Sequence, residues 1–468
     1  MTQYVTESSS PVLPPDTLRA LTLQVLALSS VDTVEVQLDH LATGVTRISR
    51  GRVWLNNSGD TLQLGIYMQS GQRRGITLSI NQIDTASLRQ AVQYLERAAR
   101  EQPGDPTDVS IQIPPRTYLP NTTWHDATVT AFTVDRHDMI ETVTAPVIAA
   151  GLSVSAFVGV ALHSRCYADK QGLIAAAQET DSEIVVTGRT ISGKGSGWAG
   201  QAARDWTTLR PGVVADEAIR LTRLAANPVL FEPGRHVTIL DRPAVAQIVA
   251  RMGGPFNAES TINGVGPLYD GKAGRVRLDQ RVLDSRLTLS SDPNDAEGGY
   301  IPFNLQAYPL VPMVWIEGGI LKHLAYQARY AAKRGVAPSN DPPDSLRLAC
   351  GASDTPLTVE EMIANCEQGI YVNRFSQIEG PDPVLGVVTG VTNGACLLVR
   401  HGKIEKAIRD LRFVESPWYF LNRVVAIGTS QRSAFGYAPW QGDWPIAPTI
   451  VPPLMINDFN FVALADAV

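Results

Sequence analysis

The chain has 468 residues, more than one ordinary hydrophobic core accommodates, and this length predicts two or three domains. Hydrophobic residues make up 44% and charged residues 18%, which excludes an intrinsically disordered chain. With 40 basic against 46 acidic residues the net charge is −6, and a mildly acidic surface argues against nucleic acid as a partner.

Residues 1–14 are polar and proline-rich and read as a disordered tail. They show no basic stretch followed by an apolar run, so no signal peptide is expected. Leu18, Leu21, Val25 and Leu28 then recur at helical spacing over Thr17–Ser29. Short strands follow at Val34–Leu38, Val45–Leu55, Thr61–Met68 and Gly75–Ile80, with Asn56–Asp60 expected as a turn. Leu88, Val92, Leu95 and Ala99 mark an amphipathic helix over Thr85–Glu101. This helix–meander–helix block is the first domain, residues 15–105, and a Pro/Gly/Asp linker follows it.

The second domain, residues 115–228, starts with a helix from Asp135 to Ala150. Strands at 153–166, 174–180 and 183–192 form another meander, and a helix over Val214–Ala225 closes it. The apolar stretch Thr144–Leu162 is broken by Pro146 and several small residues, so it reads as a buried helix plus strand and not as a membrane span. Residues 229–468 form a strand-rich C-terminal domain, with helices expected at Ala244–Arg251 and Leu321–Arg334. The expected class is α+β, because helices are grouped instead of alternating strictly with strands.

Chemical motifs are sparse. Gly193-x-Gly-x-Gly-Trp lacks the Lys-Ser/Thr ending of a phosphate loop and reads as a tight turn. None of the seven histidines stands three to five residues from another, the spacing that gives one helix two metal ligands. Cys166, Cys350, Cys366 and Cys396 form no Cys-x-x-Cys pair; Cys396, in an apolar strand, reads as a buried inert thiol. Few cysteines in so long a chain suit a reducing, cytoplasmic setting. Asp292, Asp295 and Glu297 read as a solvated loop, with a cation site as the competing reading.

Several segments, in order, resemble the TldD/PmbA family, once called modulators of DNA gyrase. They are Ile48-Ser-Arg-Gly-Arg-Val, Gly65-Ile-Tyr-Met, Tyr167–Leu173, Gly197-Trp-Ala-Gly, Ile301-Pro-Phe-Asn, Trp315–Leu324, Gly369-Ile-Tyr-Val, Asp382–Gly386, Leu398–Ile404 and Val424–Gly428. The resemblance implies a C-terminal domain of the TldD/PmbA type and a metallopeptidase built from paired subunits. In one subunit type a His-Glu-x-x-x-His helix and a cysteine near the C-terminus hold zinc, and the glutamate activates water. The other type lacks these residues.

Here the corresponding helix reads Gln247-Ile248-Val249-Ala250-Arg251-Met252, and Ser430–Phe435, where the third ligand falls, holds no cysteine. The resemblance thus implies a PmbA/TldE-like subunit with a degenerate site helix (Gln247, Ile248, Arg251, Met252), no cofactor in this chain and zinc in a TldD-like partner. The expected partners are that catalytic subunit or a second copy, together with peptide substrate and neither nucleic acid nor membrane. Two readings compete with it: an enzyme with a cryptic site on the same scaffold, and a homodimeric binding or scaffold protein without catalysis.

Overall fold

The computed structural model describes residues 10–104, 117–133, 136–351, 355–436 and 447–465. Most of the expected tail and the linker after Gly104 lie outside the described residues. Residues 10–14 are held down: Val12 is buried, and the Leu13 N–H donates to His40 Nδ1 at 3.0 Å.

The N-terminal unit runs α1 (Pro15–Leu28), β1 (Thr33–Ser49), β2 (Arg52–Gln69), β3 (Ile76–Ile80), α2 (Thr85–Glu101), α3 (Asp126–Thr133), α4 (Arg136–Ala149), β4 (Ser153–Asp169), β5 (Ile174–Arg189), β6 (Ser196–Ala203) and α5 (Pro211–Leu224). The two meanders are hydrogen-bonded through β1 and β4 into one antiparallel sheet of order β3-β2-β1-β4-β5-β6. Alternation along β1 decides the layering: Val34, Val36 and Leu38 point into a core with α1 and α2. Further along the same face, β4 and β5 pack on α3, α4 and α5. All five helices therefore lie on one side of the sheet, and the polar, odd-numbered side chains of β1 face the C-terminal unit.

Three local expectations fail. The strands expected separately at 174–180 and 183–192 are the single strand β5. The Asn56–Asp60 segment is not a turn but lies inside β2; the hairpin turns earlier, at Arg50 and Gly51, both with positive φ. The helix expected over Leu321–Arg334 starts only at Ala328, and Leu321 lies with Ile320 in a short strand. The reversal at Gly318 and Gly319, again both at positive φ, sends them back along the preceding strand.

The C-terminal unit continues with β7 (Gly234–Leu240), α6 (Arg242–Val249), α7 (Ala258–Ile262), β8 (Tyr269–Asp270), β9 (Arg275–Val276), β10 (Leu287–Ser291), β11 (Met313–Glu317), β12 (Ile320–Leu321), α8 (Ala328–Arg334), β13 (Leu346–Cys350) and α9 (Val359–Ala364). After these come β14 (Gln368–Asp382), β15 (Val387–Arg400), β16 (Lys403–Ala407), β17 (Leu411–Glu415), α10 (Pro417–Phe420), β18 (Val424–Ile427), β19 (Gln431–Arg432), β20 (Thr449–Val451) and β21 (Leu454–Leu464). Strands β14, β7, β21, β17 and β15 pair in that order, and β15 pairs back onto β14, so this sheet closes on itself. Closure removes the exposed edges that an open sheet leaves. Its interior is aromatic: Phe375, Phe413 and Phe459 have ring centroids 4.4–6.0 Å apart. A second sheet, β12-β11-β10-β13-β20-β19, stands beside it. Among the described residues no helix is long and apolar enough to cross a membrane.

Candidate functional site

The polar face of the N-terminal sheet and the C-terminal unit enclose a cleft of about 920 Å³. Gln37, Asp39, His163 and Arg165 line its floor, and Tyr300–Leu305 and Asn340–Ser345 form the opposite wall. A smaller cavity of about 550 Å³ continues along the same sheet face, with Gln37, Gly65, Thr77 and Leu305 lining both.

A charge network crosses the floor. His163 Nε2 lies 3.0 Å from Asp39 Oδ1, and its Nδ1 lies 3.1 Å from Glu179 Oε1. Burial alone favours the neutral ring, but the two carboxylates outweigh it and raise the His163 pKa, which favours the protonated ring. Asp39 also accepts from Arg165 Nε at 2.6 Å, and the His163 and Arg165 contacts hold its carboxyl well below the usual range against burial. Glu179, beside Arg204 at 3.2 Å, is lowered to about 2: burial raises it, and the charges of Arg204 and His163 more than offset that.

The same strand clamps the C-terminal unit. Glu179, Asp181 and Glu183 alternate on β5 and so share one face. Asp181 accepts two bonds from Arg432 Nη2, at 2.6 and 2.8 Å. Glu183 Oε1 accepts from the backbone N–H groups of Phe435 and Gly436, both at 2.6 Å. Arg204 donates to Gly299 O from Nε and Nη2. Two charged groups of this seam, Asp181 and Arg432, are each 6% exposed in their side chains, the regime in which removing one partner costs more than the pair contributes.

Helix α6 forms where the sequence places it. The Asp241 carboxylate accepts from the Arg242 N–H at 2.8 Å, Pro243 sits in the first turn, and Ala244, Val245, Ile248 and Val249 turn inward. Ile248 and Met252 are 0% and 1% exposed, in an apolar cluster with Phe256, Trp315 and Phe375. Gln247 Oε1 accepts the Phe375 N–H at 2.7 Å, where β14 shifts register. Arg251 donates to Gln247 O at 2.8 Å and to Ile378 O at 3.3 Å. All four positions of the degenerate helix are thus engaged in packing or in backbone hydrogen bonds.

The loop expected to hold a third ligand is also committed. Ser430 Oγ donates to Leu348 O at 2.8 Å, Arg432 is held by Asp181, and Ser433 Oγ donates to Ala434 O at 3.0 Å. Asp292, Asp295 and Glu297 gather no cation-like coordination. Asp295 takes Arg347 in two bonds of 2.5 and 2.8 Å, Asp292 accepts the Asn294 N–H, and Glu297 accepts the Arg432 N–H. Cys396 is buried, and burial pushes its thiol pKa far up, as an inert core thiol requires. Among the described residues no group of three or more His, Cys, Asp or Glu side chains is arranged to hold a metal ion.

The chain thus joins a closed strand ring, with a short helix packed against it, to an antiparallel sheet that carries helices on its far side. Residues 233–463 match the model of the PmbA/TldA metallopeptidase C-terminal domain. The chain belongs to the TldD/PmbA family. TldE from Thermococcus kodakarensis is similar in fold, with a TM-score of 0.80 at 14% identity over 95% of this chain and 99% of that one. A proposed modulator of DNA gyrase from Bacteroides thetaiotaomicron gives 0.78 at 15% identity over 96% and 99%. Another from Thermotoga maritima gives 0.78 at 15% over 95% and 100%. A protein named metalloprotease from Archaeoglobus fulgidus is 25% identical over 152 residues, 29% of this chain and only 33% of that relative's length.

The zinc implied by the family does not fit the residues present. Zinc takes thiolate, imidazole or carboxylate donors. Ile248 and Met252 offer an apolar side chain and a thioether inside a packed core, and the Gln247 carbonyl is already used. No catalytic step through a metal is derived for this chain.

The charge network is the group that reading the sequence missed. Asp39, His163, Glu179 and Arg204 are far apart in the chain and meet only through the β1–β4–β5 pairing. The alternation Glu179-x-Asp181-x-Glu183 was the one local signal of it.

Proposed function

We propose that this chain is a metal-free partner subunit of a TldD-type zinc metallopeptidase, shaping the space in which peptide is held while a catalytic partner supplies the metal. The supporting observation is α6. Its Ile248 and Met252 side chains form core instead of a ligand set, while the surrounding scaffold is kept. A partner role accounts for a retained fold without the chemical centre. The partner carries a metal-activated water and a carboxylate base, the division of labour in metal-assisted hydrolysis. Four unpaired cysteines support a reducing, cytoplasmic setting.

The test measures zinc content and peptide cleavage by the purified chain, alone and mixed with a TldD-like chain from the same cell. The expected result is neither zinc nor cleavage alone, and cleavage in the mixture above that of the partner by itself. Stoichiometric zinc with cleavage in the isolated chain overturns the proposal. The cleft of about 920 Å³ favours one second reading, a binding protein that acts without catalysis; a mixture with no gain in cleavage supports it.

A further inference from the structure

Beside α6, a half-buried guanidinium and a buried amide oxygen lack partners among the described residues. Arg374, on β14, lays its guanidinium over Trp198 of the N-terminal sheet, with Cζ 4.8 Å from the ring centroid. Its Nε reaches only Phe375 O, at 3.4 Å, and its Nη1 and Nη2 meet no acceptor among the described residues. The carboxylate that acts on it, Glu183, spends Oε1 on two backbone N–H groups. Burial pushes the Arg374 pKa down to about 10, the mark of a cation not fully compensated.

The neighbouring Asn373 is 1% exposed; its Nδ2 reaches Asp241 Oδ2 at 3.4 Å, while its Oδ1 accepts from no donor. Gly394, at φ +80°, joins the two sides: a Cβ there would lie 2.5 Å from Asn373 Oδ1 and 3.5 Å from Trp198 Cβ. Asn373, Trp198 and Gly394 therefore converge, with Arg374 stacked on the same indole. The next residue, Phe375, is the one whose N–H Gln247 holds, so the cluster flanks the degenerate helix.

We propose that Arg374, stacked on Trp198, forms a binding site for a monoanionic carboxylate, the C-terminal carboxylate of a peptide. A guanidinium offers two parallel N–H groups that match the two oxygens of a carboxylate, and stacking on an aromatic face holds the fork in place. A single guanidinium with Glu183 close by suits one negative charge and disfavours a phosphate dianion, which that carboxylate repels more strongly. The peptide part of this assignment rests on the proposed function; the carboxylate part does not.

The experiment titrates the full chain with tetra-alanine as the free acid and as its C-terminal amide, and separately with acetate and with inorganic phosphate. Binding heat and the Trp198 indole N–H resonance are followed in the wild type, R374K and R374Q, with melting curves confirming that each variant is folded. The free acid is expected to bind at least tenfold tighter than the amide, a preference weakened in R374K and lost in R374Q. Acetate is expected to shift the Trp198 resonance more than phosphate does. Arg374-dependent shifts with acetate but no peptide binding overturn the peptide assignment and leave the carboxylate site standing. Equal binding of acid and amide together with shifts that persist in R374Q, or phosphate outcompeting acetate, overturns the site.

Discussion

Replacing Ile248 by Glu restores the carboxylate of the metallopeptidase motif and tests whether this helix face is core. Ile248 is fully buried in an apolar cluster, and neither His163 nor any other part of the charge network belongs to that cluster. Losing the burial of the isoleucine side chain costs about 1.5–3 kcal/mol. An unpaired carboxyl held there has its pKa raised by roughly 3–5 units, which at about 1.4 kcal/mol per unit adds about 4–7 kcal/mol when the unfolded chain carries the ionised form. The sum approaches the total of about 5–15 kcal/mol that stabilises an ordinary domain. Because the folded pKa is raised, the ionisation part is absent below the unfolded value near 4.3 and grows as pH rises towards the folded value. Urea unfolding followed by circular dichroism at pH 4.5 and pH 7 measures both parts. The expected result is a variant far less stable than the wild type at pH 7, with the deficit shrinking at the lower pH. Wild-type stability at both pH values would refute the assignment of this face to the core.

Four further outcomes follow from the same geometry. Gln247→Leu leaves the Phe375 N–H without its acceptor and should cost about 1–3 kcal/mol in urea unfolding. Gly394→Ala forces a side chain onto a positive φ and against Asn373 Oδ1, and should lower the melting temperature by an amount equivalent to about 1–3 kcal/mol. Glu179→Gln breaks the contacts to His163 and Arg204 and should cost about 3–5 kcal/mol at pH 7, read as a lowered urea midpoint. The native Glu179 pKa is depressed to about 2, so its contribution is full above the unfolded value near 4.3 and is lost as pH falls from there towards 2; His163, raised, gives the opposite dependence, stabilising below about 6.5 and fading as pH rises through its folded value. Acid unfolding of the wild type and of Glu179→Gln, compared between pH 5 and 2, checks the carboxylate part.

Local chemistry made α6 legible, because Asp241, Pro243 and the apolar spacing after them specify a capped, one-sided helix without outside help. The helices α1 and α2 were legible from apolar residues recurring at helical spacing. The tight turn after a strand at Gly193 also holds, with the Gly193 N–H donating to Thr190 O at 2.8 Å. What stayed hidden depends on pairing between distant segments. The register that sets Glu35 opposite Asp169 joins the two meanders, and nothing within either strand announces it. The closed ring likewise needs β7 to lie between β14 and β21, which come more than a hundred residues later. The Asn56–Asp60 stretch misled because its composition suits a turn, while Arg50 and Gly51, at positive φ, make the reversal and β1 then pairs along the whole segment. The candidate site divides in the same way. The missing ligands could be read from one helix, whereas the His163 network and the Arg374 cluster are built from side chains on several strands and appear only once those strands are placed.

The central claim is that this chain keeps a metallopeptidase scaffold without its metal centre. The most direct measurement is zinc per chain, by elemental analysis of the purified protein after equilibration with excess zinc and gel filtration. Zinc far below one ion per chain is expected for the isolated protein, with one ion recovered only when a TldD-like partner co-elutes. One ion per isolated chain, retained through gel filtration, would contradict it.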